Sequence, residues 1–317
     1  EILEVKKIHF LRNLQEEKIS KKFDEMNPGE VCLVENIRFE KREEKIDWDF
    51  AKNISSLFDV YVNDAFSASH RNHTSIIGFA KYIPAVAGNH LIKEIENINA
   101  FLENSKKPNL AIVGGSKIST KINLLNNLIQ QFNCVVIGGA MANTFLHAKG
   151  HRMGGSLLEA DKSALALDIL SKAEAKGVKI LLPADTRITR EFKDGAETRV
   201  TAPYAEGGEV EDGWEGIDIG DVAIREFCAE VAGAGTIVWN GPMGVFELSS
   251  FEKGTKALAQ AVADSGALTI VGGGDSVTAV KKYNHGGSMS FISTGGGASL
   301  ELLEGKELPG VTALTDI

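Results

Sequence analysis

Short apolar runs alternate with helix-forming segments along almost the whole chain. Each run is only a few residues long, as expected for strands buried on both faces, and most end in a polar, glycine-containing loop. This alternation predicts an α/β fold with parallel sheets covered by helices, in which ligands bind outside the carboxyl ends of the strands. The predicted strands lie at residues 31–34, 59–62, 111–113, 134–137, 178–182, 236–239, 268–271 and 290–292, and the predicted helices at 89–104, 121–130, 161–176, 221–232 and 252–263.

Two glycine triplets, residues 272–274 and 295–297, each stand between a predicted strand and a predicted helix. A helix N-terminus offers unpaired N–H groups and partial positive charge, and glycine lets the backbone approach a phosphate closely. Two such turns only about twenty residues apart suggest a polyphosphate or phosphoryl-transfer site.

A third loop, Gly114-Gly115-Ser116-Lys117, leads into a predicted helix that also carries Lys121. The i,i+4 spacing predicts that the two lysines share one helix face near the N-terminus. Lysines there oppose the helix dipole unless an anion sits between them, which favours a phosphate site. The spacing differs from that of a Walker A loop.

Three further features fit a nucleotide but also have structural explanations. Residues 239–247 form a Gly- and Pro-containing loop whose carboxylate, Glu247, could accept ribose hydroxyls, although a structural turn fits equally well. Gly138-Gly139-Ala140 allows close approach to a base or tight helix–strand packing. Asp275 suits a helix cap, a Mg²⁺ ligand, or both.

The leading part of the chain places Arg38, His70, Arg71 and His73 after two predicted strands. Arginine recognises carboxylate and phosphate through a bidentate fork. The set therefore predicts a pocket for a small acidic substrate.

Composition excludes several classes of protein. The 317 residues are 43% hydrophobic and 24% charged, with a net charge of −9 and no basic stripe, which argues against nucleic-acid binding. The three cysteines are widely spaced, indicating neither a disulfide framework nor a zinc site. No apolar run reaches the roughly 18 residues of a membrane span, and no signal peptide is evident, so we expect a cytoplasmic protein.

The length suggests about two domains. We predict a leading domain at residues 1–88, a larger domain at 89–305 that begins with a hinge helix, and a tail at 306–317 that returns to the leading domain. Residues 1–20 look like a charged, helix-like lead-in, and residues 207–214 like an acidic surface loop.

The motifs, taken together and in order, resemble the phosphoglycerate kinase family over nearly the whole chain. They are Leu33–Phe39, Val62–Phe66 with His70-Arg71, Gly114–Lys117, Val238–Glu247, Gly272–Asp275 and Ser293–Leu300. The resemblance implies two Rossmann-like parallel-sheet domains joined by a hinge helix, the first of them incomplete. It also implies a monomeric glycolytic kinase that transfers a phosphoryl group between 1,3-bisphosphoglycerate and Mg-ADP, giving 3-phosphoglycerate and ATP, and that closes about its hinge.

The resemblance also implies the site residues. Arg38, His70 and Arg71 would hold the phosphoglycerate, with Arg38, Lys117, Lys121, Gly296 and Gly297 catalytic, and Asp275 would hold magnesium. The nucleotide would contact Gly115, Ser116, Lys117, Lys121, Gly138, Gly139, Asn240, Pro242, Gly244, Val245, Glu247, Gly273, Gly274, Asp275, Ser276, Thr294 and Gly295.

The chain departs from the family pattern in two places. The family's opening strand–helix units, with an Asp-Phe-Asn element and a His-x-x-Gly-Arg-Pro loop, do not occur, so we expect a truncated chain or the ordered portion of a longer one. Ala140 stands where the family often has glycine, which adds a methyl group near the expected adenine pocket.

Two other functions compete with this interpretation. A nicotinamide-dependent dehydrogenase would need Gly-x-Gly-x-x-Gly after the first strand of a dinucleotide unit, and the triplets have the wrong spacing. A nucleotide-binding protein without catalysis remains the alternative, because the family's first substrate segment is absent.

Overall fold

The computed structural model describes residues 7–12, 14–303 and 305–315. They form two compact units. Unit 1 comprises the described residues up to Glu96 and from Gly305 onward, and unit 2 comprises the described part of Asn97–Glu304. The division falls inside the helix Asn89–Glu103, whereas we placed the domain boundary at residues 88 and 89; the domain assignment and the hinge stay predictions.

Unit 1 contains two small parallel sheets. Strand β1 (Ile8–Leu11) pairs with β2 (Val31–Val34), and β3 (Tyr61–Asn63) pairs with β4 (Ala85–Ala87). The helices are α1 (Glu16–Asp24), α2 (Trp48–Ser55), the start of α3 (Asn89–Glu103) and, from the end of the chain, α11 (Pro309–Thr312).

The last described segment hydrogen-bonds within unit 1. The Asn63 side chain donates to the Gly310 carbonyl at 2.9 Å, and the Thr315 N–H donates to the Ala85 carbonyl at 2.8 Å. A side chain on Gly310 would overlap Ser69 and Ile76, so this contact requires glycine. Residues 316–317 of the predicted tail lie outside the described residues.

Unit 2 is built on a six-stranded parallel sheet. Its strands are β5 (Asn109–Val113), β6 (Cys134–Ile137), β7 (Lys179–Leu181), β11 (Thr236–Asn240), β12 (Leu268–Gly272) and β13 (Phe291–Ile292), in the order β13-β12-β11-β5-β6-β7. The chain proceeds outward from β5 in one direction and then from β11 in the other. The direction of the strand order therefore changes between the neighbouring strands β5 and β11. This is the switch point, beside which α/β sheets bind ligands.

Helices complete unit 2, and a smaller antiparallel sheet adjoins them. The helices are α4 (Ile122–Gln131), α5 (Gly139–Ala148), α6 (Ser163–Ala175), α7 (Asp221–Ala232), α8 (Lys253–Asp264), α9 (Gly274–Lys282) and α10 (Gly297–Leu303). The smaller sheet, in the order β10-β8-β9, consists of β8 (Thr186–Thr189), β9 (Thr198–Val200) and β10 (Glu215–Ile219).

The core of unit 2 explains the apolar runs. Ala111, Ile112 and their strand neighbours are almost fully buried because helices cover the sheet, and Trp239 and Phe227 fill one side of it. The predicted α/β class with parallel sheets is confirmed. Among the described residues no helix combines the length and the apolar character needed to span a bilayer.

Two predictions about local structure are correct only in part. The lead-in contains β1, because Leu11 and Ile19 pack into the core of unit 1 with Phe50; residues 1–6 lie outside the described residues. The segment at 207–214 is only partly a surface loop, because Val210 and Trp214 are buried with Tyr204 in a separate apolar cluster.

Candidate active site

A cavity of about 560 Å³ opens beside the switch point of the unit 2 sheet. Loops after β5, β6 and β11 meet there with the start of α9 and part of the smaller sheet. The cavity is lined by these residues of the predicted nucleotide set: Gly115, Ser116, Gly139, Pro242, Gly244, Val245, Glu247 and Asp275.

The loops after β5 and β11 cross in direct backbone contact. The Gly114 N–H donates to the Asn240 carbonyl at 2.9 Å, and a side chain at Gly114 would overlap the Pro242 carbonyl. Gly241 has φ of +105° and faces Gly114 with no room for a Cβ atom. The glycines therefore let two adjacent strands place their loops against one ligand.

Gly139 lines the cavity directly after β6, whereas its neighbour Gly138 is not among the lining residues. Gly139 has φ of +67°, and a Cβ atom on it would lie 2.6 Å from the Gly115 carbonyl oxygen. Gly138 has its Cα against the Met243 side chain, and the Gly139 N–H donates to the Met243 carbonyl at 2.9 Å. The predicted departure from the family, Ala140, also lines the cavity.

Lys117 and Lys121 do not share a helix face, contrary to the prediction. They flank the 3₁₀ turn Ile118–Thr120, and Lys121 then serves as the residue before α4. The tighter turn forms because Ile118 is fully buried and pulls the chain inward. The positions of the two lysine side chains are therefore determined by this turn and not by a shared helix face.

Lys121 occupies a desolvated position beside the crossing loops. Its ammonium donates to the Asn240 side-chain oxygen, while the Asn240 amide donates to the Gly272 carbonyl at 3.0 Å. Burial lowers the pKa of Lys121, and the charge of Asp275 partly opposes this effect. Lys117 is exposed.

The first glycine triplet places Asp275 at the cavity. Gly273 precedes α9 with φ of +88° and lies against the Asn240 amide. Asp275 is exposed in the first turn after Gly274, and buried Ser276 accepts the Gly241 N–H at 2.5 Å. Within the described part of the chain, no group of three or more His, Cys, Asp or Glu side chains could hold a metal by itself.

The second triplet forms a compact turn before α10. Ser293 and Ser299 hydrogen-bond to each other, and the Gly295 N–H donates to Ser293 at 3.1 Å. Gly296 has φ of +52° and open space beside it. Thr294 and Gly297 complete the turn, which is not among the residues lining the cavity.

The predicted acidic-substrate residues all lie in unit 1. Arg38 is exposed in the 3₁₀ turn Ile37–Phe39, held by the Asn36 side chain that accepts its N–H at 3.1 Å. His70 and Arg71 are half-buried after the turn Phe66–Ala68. The structure therefore gathers the predicted nucleotide residues in unit 2 and the predicted substrate residues in unit 1.

Part of the cavity wall was missed by sequence reasoning. Phe192 is 60% exposed and lies 6.0 Å from Phe251, ring centre to ring centre. The sequence signal that could have found it is an aromatic residue between the charged residues Glu191 and Lys193. The other missed residues lie on α5, on the smaller sheet, in the loops beside them or after β11: Ala142, Asn143, Leu157, Pro183, Thr186, Glu215, Gly216, Ile217, Asp218, Ile219 and Leu248.

Comparison with known proteins agrees with this architecture. A family model described as phosphoglycerate kinase matches residues 1–306. A phosphoglycerate kinase of Akkermansia muciniphila is 54% identical over 292 residues, covering 92% of this chain and 72% of the relative. A cytosolic phosphoglycerate kinase of Nicotiana tabacum is 48% identical over 94% of this chain and 74% of its own length.

A solved structure is similar as well. The phosphoglycerate kinase of Coxiella burnetii matches with a TM-score of 0.80 and 44% identity, covering 92% of this chain and 74% of that one. Both the sequence and the fold thus agree over most of the chain. This chain belongs to the phosphoglycerate kinase family.

Proposed function

We propose that the unit 2 cavity holds Mg-ADP or Mg-ATP while the polar loops at its edge carry out phosphoryl transfer. As a member of its family, the chain is a glycolytic kinase that moves a phosphoryl group between 1,3-bisphosphoglycerate and ADP. The observation that carries the proposal is that eight predicted nucleotide residues line one cavity at the switch point of the sheet.

The apolar end of the cavity suits the nucleoside. Gly139 lines the cavity and would leave room there for an adenine ring, and Ala140 adds one methyl group. Gly138 packs against Met243 and would support this wall from behind. Pro242, Gly244 and Val245 would form the opposite wall, and exposed Glu247 would accept the ribose hydroxyls.

The polar end suits the phosphates. Gly115 and Ser116 would approach the phosphate chain with backbone N–H groups, and Lys121, held by Asn240, would neutralise the transferred group together with Lys117. Gly273, Gly274, Ser276, Thr294, Gly295, Gly296 and Gly297 would supply further donors at the two triplet turns. This arrangement would provide positioning and charge stabilisation, on which catalysis of phosphoryl transfer mainly depends.

Asp275 fits a magnesium ion bound together with a nucleotide. Mg²⁺ keeps several waters and is commonly held by one or two carboxylates plus substrate phosphates, so a single exposed carboxylate at the cavity is sufficient. When bound, the ion neutralises charge on the phosphate oxygens. Asp275 lines the cavity from the first turn of α9, and its charge acts on Lys121, where it opposes the lowering of the lysine pKa by burial.

The acidic substrate would bind in unit 1. Arg38, His70 and Arg71 combine two guanidinium groups with an imidazole, a set suited to carboxylate and phosphate oxygens. We further propose that the protein acts in the cytoplasm as a monomer, on small molecules and without nucleic-acid or membrane partners.

Isothermal titration of ADP with and without Mg²⁺ tests the metal and nucleotide roles together. We expect Asp275→Asn to weaken Mg-ADP binding about tenfold, roughly 1.4 kcal/mol, and to change metal-free ADP binding little, because the substitution removes charge but keeps size. Asp264→Asn, at an exposed carboxylate of α8 outside the cavity lining, is the control.

Two outcomes would count against the proposal. Equal weakening with and without Mg²⁺ would mean that Asp275 is structural, and a folded protein without detectable nucleotide binding would contradict the cavity assignment. A coupled assay of ATP formation in the same samples distinguishes the kinase from the alternative function. A nucleotide-binding protein without catalysis would bind Mg-ADP and show no turnover.

A further inference from the structure

A carboxylate from a distant segment holds the turn between the two phosphate lysines. Glu159 accepts the Ser119 N–H at 3.0 Å on one oxygen and the Ser119 hydroxyl at 2.6 Å on the other. Ser119 is the middle residue of the turn Ile118–Thr120 that separates Lys117 from Lys121. Glu159 lies forty residues further along the chain, and its two hydrogen bonds fix both the backbone and the side chain of Ser119. We call this pair of hydrogen bonds the Glu159 clamp.

Glu159 is itself anchored to the helix that begins at the nucleobase wall. Its N–H donates to the Thr144 hydroxyl at 3.1 Å, and the Asn143 amide donates to the Leu157 carbonyl at 3.1 Å. Asn143 and Thr144 are buried in α5, which starts at Gly139. The clamp thus connects the base side of the cavity with the lysine segment.

The charge state of Glu159 suits this contact. Hydrogen bonds from the Ser119 hydroxyl and N–H lower the pKa of Glu159, so the ionised side chain accepts on both oxygens. A glutamine of the same size keeps one acceptor oxygen for the Ser119 N–H. It replaces the charge-assisted bond from the Ser119 hydroxyl with a neutral contact in which the hydroxyl must reorient to accept from the amide, which weakens the hold on the turn.

We propose that Glu159 is a positioning residue for phosphoryl transfer, which holds Lys121 in line by fixing the Ser119 turn. The turn passes directly into Lys121, whose N–H donates to the Ile118 carbonyl at 2.9 Å. The proposal rests on the proposed function of Lys121. Gly139, which would contact the nucleotide, is held by its own N–H bond to the Met243 carbonyl at 2.9 Å, so loosening the turn should affect the transfer step and leave nucleotide binding nearly intact.

A double-mutant cycle on kcat tests the proposal. We expect Glu159→Gln to lower kcat about tenfold with the KM for nucleotide within about twofold, and Lys121→Ala to lower kcat on the order of 10²–10³-fold. In the Lys121→Ala background, Glu159→Gln should cost less than about threefold, because the group it positions is gone.

Two more variants control for charge and folding. Asp161→Asn removes a carboxylate two residues away that pairs with Lys162 at the surface, and it should leave kcat unchanged. Ser119→Ala removes the hydroxyl bond but keeps the backbone bond. Alone it should lower kcat about threefold, and added to Glu159→Gln it should lower kcat by less than about twofold. It therefore tests the same contact if Glu159→Gln fails to fold.

The outcomes separate the two proposals. An unchanged kcat in Lys121→Ala would contradict the proposed function. A large loss of kcat in Lys121→Ala would support the proposed function. The positioning role of Glu159 would still be overturned if Glu159→Gln caused no loss, or if it caused the same tenfold loss with and without Lys121. A rise in KM without a fall in kcat would overturn it as well.

Discussion

Asp218 is a buried carboxyl group whose two oxygens have different surroundings. One oxygen accepts the Gly254 N–H at 2.6 Å, and the other is enclosed by Gly244 and Gly254 with no hydrogen-bond partner in the described part of the chain. Burial raises the pKa of Asp218 to about 7. The hydrogen bond from the Gly254 N–H and, more weakly, the charge of Arg187 oppose the rise, and Asp221 adds to it. This residue is therefore protonated over much of the range in which surface carboxylates are charged.

The raised pKa predicts a specific dependence of stability on pH. An unfolded Asp titrates near about 3.9, so the stabilisation from the proton on Asp218 is complete below about pH 4 and is lost as pH rises through about 7. Asp218→Asn stays neutral throughout. We therefore expect the stability of this variant, relative to wild type, to rise between pH 5 and pH 8 by on the order of 2–3 kcal/mol.

Urea unfolding of both proteins at several pH values checks this prediction. Asp264→Asn, at an exposed carboxylate that accepts from Gln260, should show no such trend relative to wild type. A constant difference between Asp218→Asn and wild type over this range would mean that Asp218 is ionised throughout.

At the scale of elements, the N-termini of several helices are capped by carboxyl groups from distant segments of the chain. Asp64 accepts the His90 and Leu91 N–H groups at the start of α3, Asp185 accepts two N–H groups at the start of α7, and Asp218 caps α8. Each of these side chains accepts from N–H groups that a helix cannot satisfy internally.

The cap on α7 predicts a large loss of stability on truncation. Asp185 is 2% exposed and accepts the Val222 and Ala223 N–H groups at 3.0 and 2.8 Å. Asp185→Ala should lower the free energy of unfolding by about 2–4 kcal/mol, because it removes a cap and leaves buried donors unpaired.

Denaturant unfolding followed by circular dichroism measures this loss. Asp168→Ala, at an exposed carboxylate paired with Lys172 on α6, should cost less than about 0.5 kcal/mol. A similar small cost at Asp185 would show that water replaces the cap.

At the scale of the whole molecule, the predicted nucleotide residues belong to one unit and the predicted substrate residues to the other. We expect Mg-ADP to slow amide hydrogen exchange in the loops of unit 2 after β5, β6, β11 and β12, since a ligand that binds only the native state suppresses local opening around its site. Exchange in the segment around Arg38 and around His70 should not change.

Hydrogen exchange read by mass spectrometry on the intact chain tests this division. ADP without Mg²⁺ is the control and should protect the same loops more weakly. Protection that appeared first around Arg38 or His70 would contradict the assignment of the nucleotide to unit 2.

Much of the fold could be predicted from the sequence because it depends on local patterns. Apolar runs predicted the strands of the unit 2 sheet, and the helix predicted at 221–232 matches Asp221–Ala232. Glycine triplets between a strand and a helix indicated phosphate loops, since the need for a bare backbone is visible in the residue type itself. The ordered motifs also indicated the family, which the comparisons confirm.

Contacts between distant segments were decided only by the tertiary structure. The 3₁₀ turn that separates Lys117 from Lys121 forms because Ile118 is buried, and the spacing of the lysines alone predicted a shared helix face. The helix caps from Asp185 and Asp218, the clamp from Glu159 and the wall formed by Phe192 join segments far apart in sequence. Periodicity indicates which residues face a core. The partner of each polar group depends on which distant segments the fold brings together, and a local pattern does not encode this.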